Sequence, residues 1–401
     1  MTPSMKTSFT QSRLIAAAAM ALTFFGVVGQ SVVALEPAPA SAEKQVSLKL
    51  ELERAIAKGV EYLQKTQAPD GTWSDPAFPA LTALPLRAIA GDPNRAKNSP
   101  LPEWAQKSVN FLISKQKPDG GIYAERLGSY NTAISMMALL ATNDPAHHAA
   151  ILKARQYLVA QQHDFDIKGQ NDNPLDGGIG YGSHPVPDLS NTNIALEALA
   201  KTKKLLDDQG DKSARDLDWD AALKFVSRSQ NLPETNDLAW AQSASAEDHG
   251  GFIYSPTESK AGEVQGPGGK VGQRSYGSMS YAGLLSMAYA EVKADDPRVK
   301  AVLDWLVRHY QLKENPNMGA QGLFYYYHTM AKALVAANVQ KLTKESGETI
   351  DWKQDLAVRL FDLQKPDGSW LNEESKRWME SDPALVTAYS LLALEFIYYS
   401  L

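Results

Sequence analysis

Asp248 and His249 stand side by side just before Gly250-Gly251, a carboxylate next to an imidazole that could act as an acid and base couple. Adjacent side chains in a loop rarely aim at one atom. Asp248 also matches a turn aspartate that recurs as Asp70, Asp119, Asp176 and Asp367, so a structural role is the expectation for this pair. His328 is the other imidazole of interest, because it opens the apolar segment "HTMAKALVA". The strings Asp164-Phe165-Asp166, Asp216-Leu217-Asp218-Trp219-Asp220 and Lys293-Ala294-Asp295-Asp296 lie beside helix ends, where carboxylates cap helices and close turns. His147-His148 lacks the i, i+4 spacing that puts two imidazoles on one helical face. With no cysteine in 401 residues, thiolate chemistry and disulfides are excluded.

The segments that must position these residues repeat. Amphipathic helices end in "EYLQKTQ", "NFLISKQ", "QYLVAQQ", "KFVSRSQ", "DWLVRHYQ" and "RLFDLQ", closing near Gln67, Gln116, Gln162, Gln230, Gln311 and Gln364. After each comes a Gly-rich loop with an aromatic residue, such as "PDGTW", "PDGGIY" or "PDGSW". A second helix follows, in the register Leu81-Thr82, Asn131-Thr132, Asn191-Thr192, Gly277-Ser278, His328-Thr329 and Val386-Thr387. The first helix of each pair is charged on one face, which suits an outer layer. The second is nearly apolar all round, which suits an inner one. Six outer-inner pairs predict an all-α fold, an (α/α)6 toroid whose inner helices line a central cavity; an open solenoid of helix pairs is the alternative.

If the starts of the inner helices converge, Asn131, Asn191 and His328 form a polar ring, with Tyr130, Ser190, Tyr276 and Tyr327 nearby. That ring is the candidate ligand-binding mouth. The competing reading is that each polar group caps its own helix and bonds loop backbone. The long irregular stretch Ser255 to Ser275 does not have P-loop spacing. As a lid it would bring Lys270 and Arg274 to an anionic ligand.

Residues 1–34 carry Lys6, Arg13 and no acid, then the apolar run "LIAAAAMALTFFGVV" and the small residues of "SVVA". This pattern is that of a signal peptide cut after Ala34, the run being short for a membrane anchor. An exported chain is therefore expected, periplasmic or extracellular, with a Pro/Ala-rich linker at 35–46 and the toroid at 47–401. The formal net charge is −6, and −8 without the leader. With no basic patch to follow phosphates, nucleic acid is not an expected partner.

The Gln-loop-aromatic joint followed by a Thr-bearing apolar helix resembles the repeat of squalene and other terpenoid cyclases and of protein prenyltransferase β-subunits, over roughly residues 48 to 401. The resemblance implies the toroid, and with it either proton-initiated cyclisation or zinc-dependent prenyl transfer. The cyclase Asp-x-Asp-Asp motif is not present in this sequence. The prenyltransferase zinc ligands would fall on Gln273, Ser275 and His328. An amide and a hydroxyl are poor zinc donors, so neither a metal nor another cofactor is expected.

Three functions remain open on these grounds. The first is a cyclase-like or prenyl-transferring enzyme. The second is an envelope protein that binds an isoprenoid, lipid or peptide without turnover. The third is a polysaccharide-acting toroid, which needs two carboxylates facing a sugar, where the inner-helix starts offer Asp188 and Asp382. Binding without turnover fits the missing motifs best.

Overall fold

The computed structural model describes residues 40–96, 99–182, 186–210, 215–265 and 269–401; the leader read at 1–34 lies outside them. Helices α1 (Ala40–Thr66), α3 (Glu103–Ser114), α5 (His148–Val159), α7 (Trp219–Arg228), α9 (Pro297–Arg308) and α11 (Trp352–Leu363) form one set. They alternate with α2 (Ala80–Gly91), α4 (Gly128–Ala141), α6 (Leu189–Gln209), α8 (Gly277–Tyr289), α10 (Leu323–Ala336) and α12 (Pro383–Ser400). The even-numbered helices pack in a closed cycle, α2 to α4, α6, α8, α10, α12 and back to α2. Closure of that cycle makes the fold an all-α toroid and excludes the open solenoid. The chain is helical from Ala40, within the stretch read as linker, where Ala, Glu and Lys favour helix.

The inner helices bury residues all round, as in α4 and α12, whereas outer helices such as α3 and α9 bury one face. Carboxylates at the helix starts act as caps: Asp188, Asp218, Asp296, Asp351 and Asp382 each accept a backbone N–H of the first turn. These bonds satisfy donors that a helix start otherwise leaves free.

The repeated glutamine is a staple between units. The Gln67 amide donates to Gly71 O of its own loop and to Ser108 Oγ on α3. Gln116 bonds Gly120 O and Ala150 O of α5, and Gln162 bonds Gly177 O and Asp218 O at the start of α7. Gln230 bonds Gly250 O and Arg298 O of α9. Gln364 bonds Gly368 O and Ala55 O of α1, closing the ring from the last unit to the first. The glycines at these joints have φ between 82° and 92°, and a Cβ on any of them would run into the backbone of the next outer helix. Only glycine combines that φ with that approach.

The fifth unit departs from this pattern. Among the described residues Gln311 donates only to the side chain of Glu314. In four units the Thr of the inner-helix register, Thr82, Thr132, Thr192 or Thr387, accepts a loop N–H. In the fourth unit this acceptor is Ser280, which takes the Phe252 N–H. The expected Ser278 instead has its N–H capped by Asn315. Thr329 of the fifth unit turns back to Tyr325 O of its own helix.

Two short antiparallel hairpins decorate the helices, β1 (Glu263–Gln265) with β2 (Val271–Gln273), and β3 (Leu342–Thr343) with β4 (Thr349–Ile350).

Candidate functional site

The inner helices are parallel, since starts meet starts and ends meet ends. Ser190 at the start of α6 bonds Tyr325 at the start of α10, at 3.1 Å, while the Tyr399 hydroxyl near the end of α12 bonds Gly91 O at the end of α2. A central cavity runs between them. Tyr130, Tyr325 and Tyr389 line its upper part, and Arg87, Glu197 and Lys332 its lower part. It offers the centre of a water-sized molecule about 20 Å³, room for about one water and not for an isoprenoid chain.

The lower part is an ion triad contributed by α2, α6 and α10. Arg87 Nη2 donates to Glu197 Oε1 and Lys332 Nζ to Glu197 Oε2, each at 2.7 Å. Glu197 is 2% exposed and Lys332 5%. Burial opposes the charge of Glu197, but Arg87 and Lys332 outweigh it and hold the carboxyl far below the usual carboxylate range. Burial lowers the pKa of Lys332, against the attraction of Glu197. Placing the cations in the later turns of α2 and α10 sets them toward the negative ends of the helix dipoles. Each charge stands alone in an otherwise apolar inner segment, "LPLRAIA", "IALEALA" or "TMAKALVA". That contrast, a single charge in an apolar inner helix, is the sequence signal that marks the triad.

His328 lies one turn above Lys332, 3% exposed, its ring stacked on Tyr389 with centroids 5.5 Å apart. Burial, with the charges of Lys332 and Arg87, presses its pKa well below the ordinary value, so it is neutral. Among the described residues its buried Nδ1 has no partner.

Of the residues expected at a binding mouth, Tyr130 and His328 line the cavity and Ser190 braces it through Tyr325. The others do not line it. Asn131 accepts the Ala80 N–H and donates to Arg126 O, and Asn191 bonds the cap Asp188. Neither asparagine caps its own helix: Asn131 caps the neighbouring α2 and bonds loop backbone, and Asn191 steadies the cap Asp188 of α6. Tyr327 points outward to Leu312 O and Arg359, because adjacent positions on α10 face different ways. Tyr276 is buried at the start of α8, its backbone N–H bonded to Phe252 O. Arg274 sits 3.8 Å from Glu247, and no described residue of the 255–275 stretch lines the cavity, so the lid expectation is not met. The reason is that the β1–β2 hairpin docks on the loop around Ser243.

Asp248 is fully buried and accepts the Ser275 N–H and the Ser245 hydroxyl. His249 is exposed and 3.7 Å from Glu234, so the two do not form an acid and base couple. Gln273 accepts the Ser259 N–H, and Ser275 is held by Asp248 and Asn231. These bonds tie both residues into the loop network while His328 belongs to the cavity. Among the described residues no group of three metal-ligating side chains converges.

Among the described residues three carboxyls have raised pKa values, Asp188, Glu380 and Glu395. Asp188, capping α6, is pushed up to about 6 by burial, against its bonds to Asn191. Glu380 is pushed up to about 7 by burial, against the Tyr325 N–H and the Asn372 amide that it accepts.

A squalene-hopene cyclase from Zymomonas mobilis is 23% identical over 290 residues, covering 68% of this chain and 40% of the relative. A lanosterol synthase from Aspergillus fumigatus is 28% identical over 130 residues, 28% of this chain and 16% of the relative. The solved structure of a type II terpene cyclase from Scytonema, in complex with merosterolic acid A, superposes with a TM-score of 0.53 at 14% identity, over 89% of this chain and 99% of that one. The fold is the terpenoid cyclase toroid. No family model matches the chain, and it spans less than half the length of the two curated relatives. In this cyclase-like toroid the cavity keeps a single carboxylate among the described residues, Glu197, and that group is ionised and doubly paired.

Proposed function

We propose that this cyclase-like toroid binds an isoprenoid, lipid or peptide ligand and does not turn it over. The observation that carries the reading is the state of Glu197. Starting a carbocation cascade requires a protonated acid facing the substrate, and a carboxylate held ionised by Arg87 and Lys332 has no proton to give. Two cations for one carboxylate also oppose the positive charge that such a cascade develops. A glycosidase-like reaction needs a second carboxylate across the cavity, which the described lining does not supply. The ligand engages the tyrosine end, where Tyr130, Tyr325 and Tyr389 offer aromatic faces with hydroxyl tips, and enters by displacing their side chains. The Scytonema relative, described with merosterolic acid A bound, supports an isoprenoid-derived ligand.

The test has two arms on purified protein. Mass spectrometry of solvent extracts is expected to recover a bound amphiphile, and incubation with squalene or a geranylgeranyl substrate is expected to leave it uncyclised. Cyclised product overturns the reading, and so does repeated recovery of ligand-free protein that takes up no added isoprenoid, lipid or peptide.

We also propose export, which rests on the residue pattern of 1–34. N-terminal sequencing of the mature protein checks it, with cleavage after Ala34 expected. Among the described residues no helix is long and apolar enough to cross a membrane.

A further inference from the structure

The lower cavity has more hydrogen-bond donors and more positive charge than its protein partners use. Arg87 has five N–H donors, and among the described residues its recorded bond goes through Nη2 to Glu197. Lys332 has three donors and spends one, on the same carboxylate. Asn193 also lines the cavity; its carbonyl accepts from Ser286 at 3.3 Å, while its amide N–H groups have no acceptor among the described residues. His328 adds a buried Nδ1 without a partner.

The charges facing this space come from α2, α6 and α10: Arg87 and Lys332 positive, Glu197 negative, His328 neutral. Just outside, Glu395 of α12 lies against Gly91, and burial and the nearby charge of Asp92 push its pKa well above the usual carboxylate range, against the attraction of Arg87. The lining itself thus sets two cations against one carboxylate, with Glu197 and Lys332 almost wholly buried, a costly arrangement unless a further counter-charge is present. Space remains for one small body between these donors, about 20 Å³ for the centre of a water-sized molecule.

We propose that this space is a site for a single small monovalent anion, a halide or a carboxylate no larger than formate, held by the unspent donors of Arg87, Lys332, Asn193 and His328. Such an anion neutralises the triad and ties α2, α6 and α10 together at the axis. The site lies below the tyrosine rim and does not depend on the rim ligand.

Bromide is the probe. Crystals of the mature chain soaked in sodium bromide are expected to show an anomalous peak between Arg87, Lys332 and Asn193; a water there with no anomalous signal overturns the proposal. In solution, exchanging chloride for gluconate at constant ionic strength is expected to lower Tm by about 3 °C, since gluconate does not fit the space and a lost ligand lowers stability by mass action. Bromide and formate added back separately distinguish the halide from the carboxylate source. Lys332→Met, which leaves a neutral Arg87–Glu197 pair, is expected to abolish the anion dependence. Unchanged dependence in that variant overturns the proposal, and if the variant does not fold the bromide experiment on the unmodified chain decides.

Discussion

Gln364→Ala tests the staple that closes the ring. The Gln364 amide makes two hydrogen bonds, 2.9 Å to Ala55 O and 3.0 Å to Gly368 O, and is part-buried in both. Ala55 lies within helix α1, so its carbonyl keeps an intrahelical donor, while the loop carbonyl of Gly368 loses a partner. At about 1 kcal/mol net per bond the loss is about 2 kcal/mol. Spread over the unfolding entropy of a domain this large, it lowers Tm by about 2–3 °C. The fifth unit supplies the control, because Gln311 donates only to an exposed Glu314 side chain, and Gln311→Ala should cost less than about 0.5 kcal/mol. Urea denaturation followed by tryptophan fluorescence measures both, with Trp370 in the affected joint, its indole bonded to Leu360 O. Equal losses in the two variants would refute the staple argument, and so would a loss of ligand binding in Gln364→Ala with stability unchanged.

Glu197→Gln leaves Arg87 and Lys332 buried without their counter-charge and is expected to cost about 3–5 kcal/mol in the same denaturation assay; a loss below about 1 kcal/mol would mean that the triad is solvated. Glu380 titrates near pH 7 in the folded chain against an ordinary value of 4.5, so the folded state holds the extra proton between those pH values. Its contribution is therefore full below about pH 4.5 and is lost as pH rises to about 7, a difference of roughly 3 kcal/mol. Glu380→Gln keeps an acceptor for the Tyr325 N–H and is expected to be more stable than the unmodified chain at pH 8 and to converge with it at pH 4. Measuring the variant as a difference separates it from Asp188, which acts with the same sign at lower pH, and from His328, whose depressed value costs stability as pH falls below about 6.5. A difference that does not change with pH would refute it.

The joints were legible in the sequence because they are nearly local. Gln364, Gly368 and Trp370 lie within one turn of chain, and the same spacing repeats wherever an outer helix hands over to an inner one. Their bonds fix the handover in five of the six units. The fourth unit shows the limit of reading by register, since Ser278 and Ser280 lie two residues apart on α8 and in the folded chain it is Ser280 that accepts the loop N–H, while the Ser278 N–H is capped by Asn315. The polar ring failed for a related reason. Asn131, Asn191 and His328 share a sequence position, but the two asparagines find acceptors and donors in caps, and His328 has neither cap and turns to the axis.

The sequence by itself determined the repeats, the alternation of amphipathic and apolar helices and the glycines that only one backbone geometry explains. The tertiary structure decided what occupies the axis. Arg87 and Glu197 are 110 residues apart, and Glu197 and Lys332 are 135 apart, so no local spacing connects them. A lone charge on an apolar helix tolerates burial only where a partner meets it, and that meeting depends on the rotation of three helices about a closed ring.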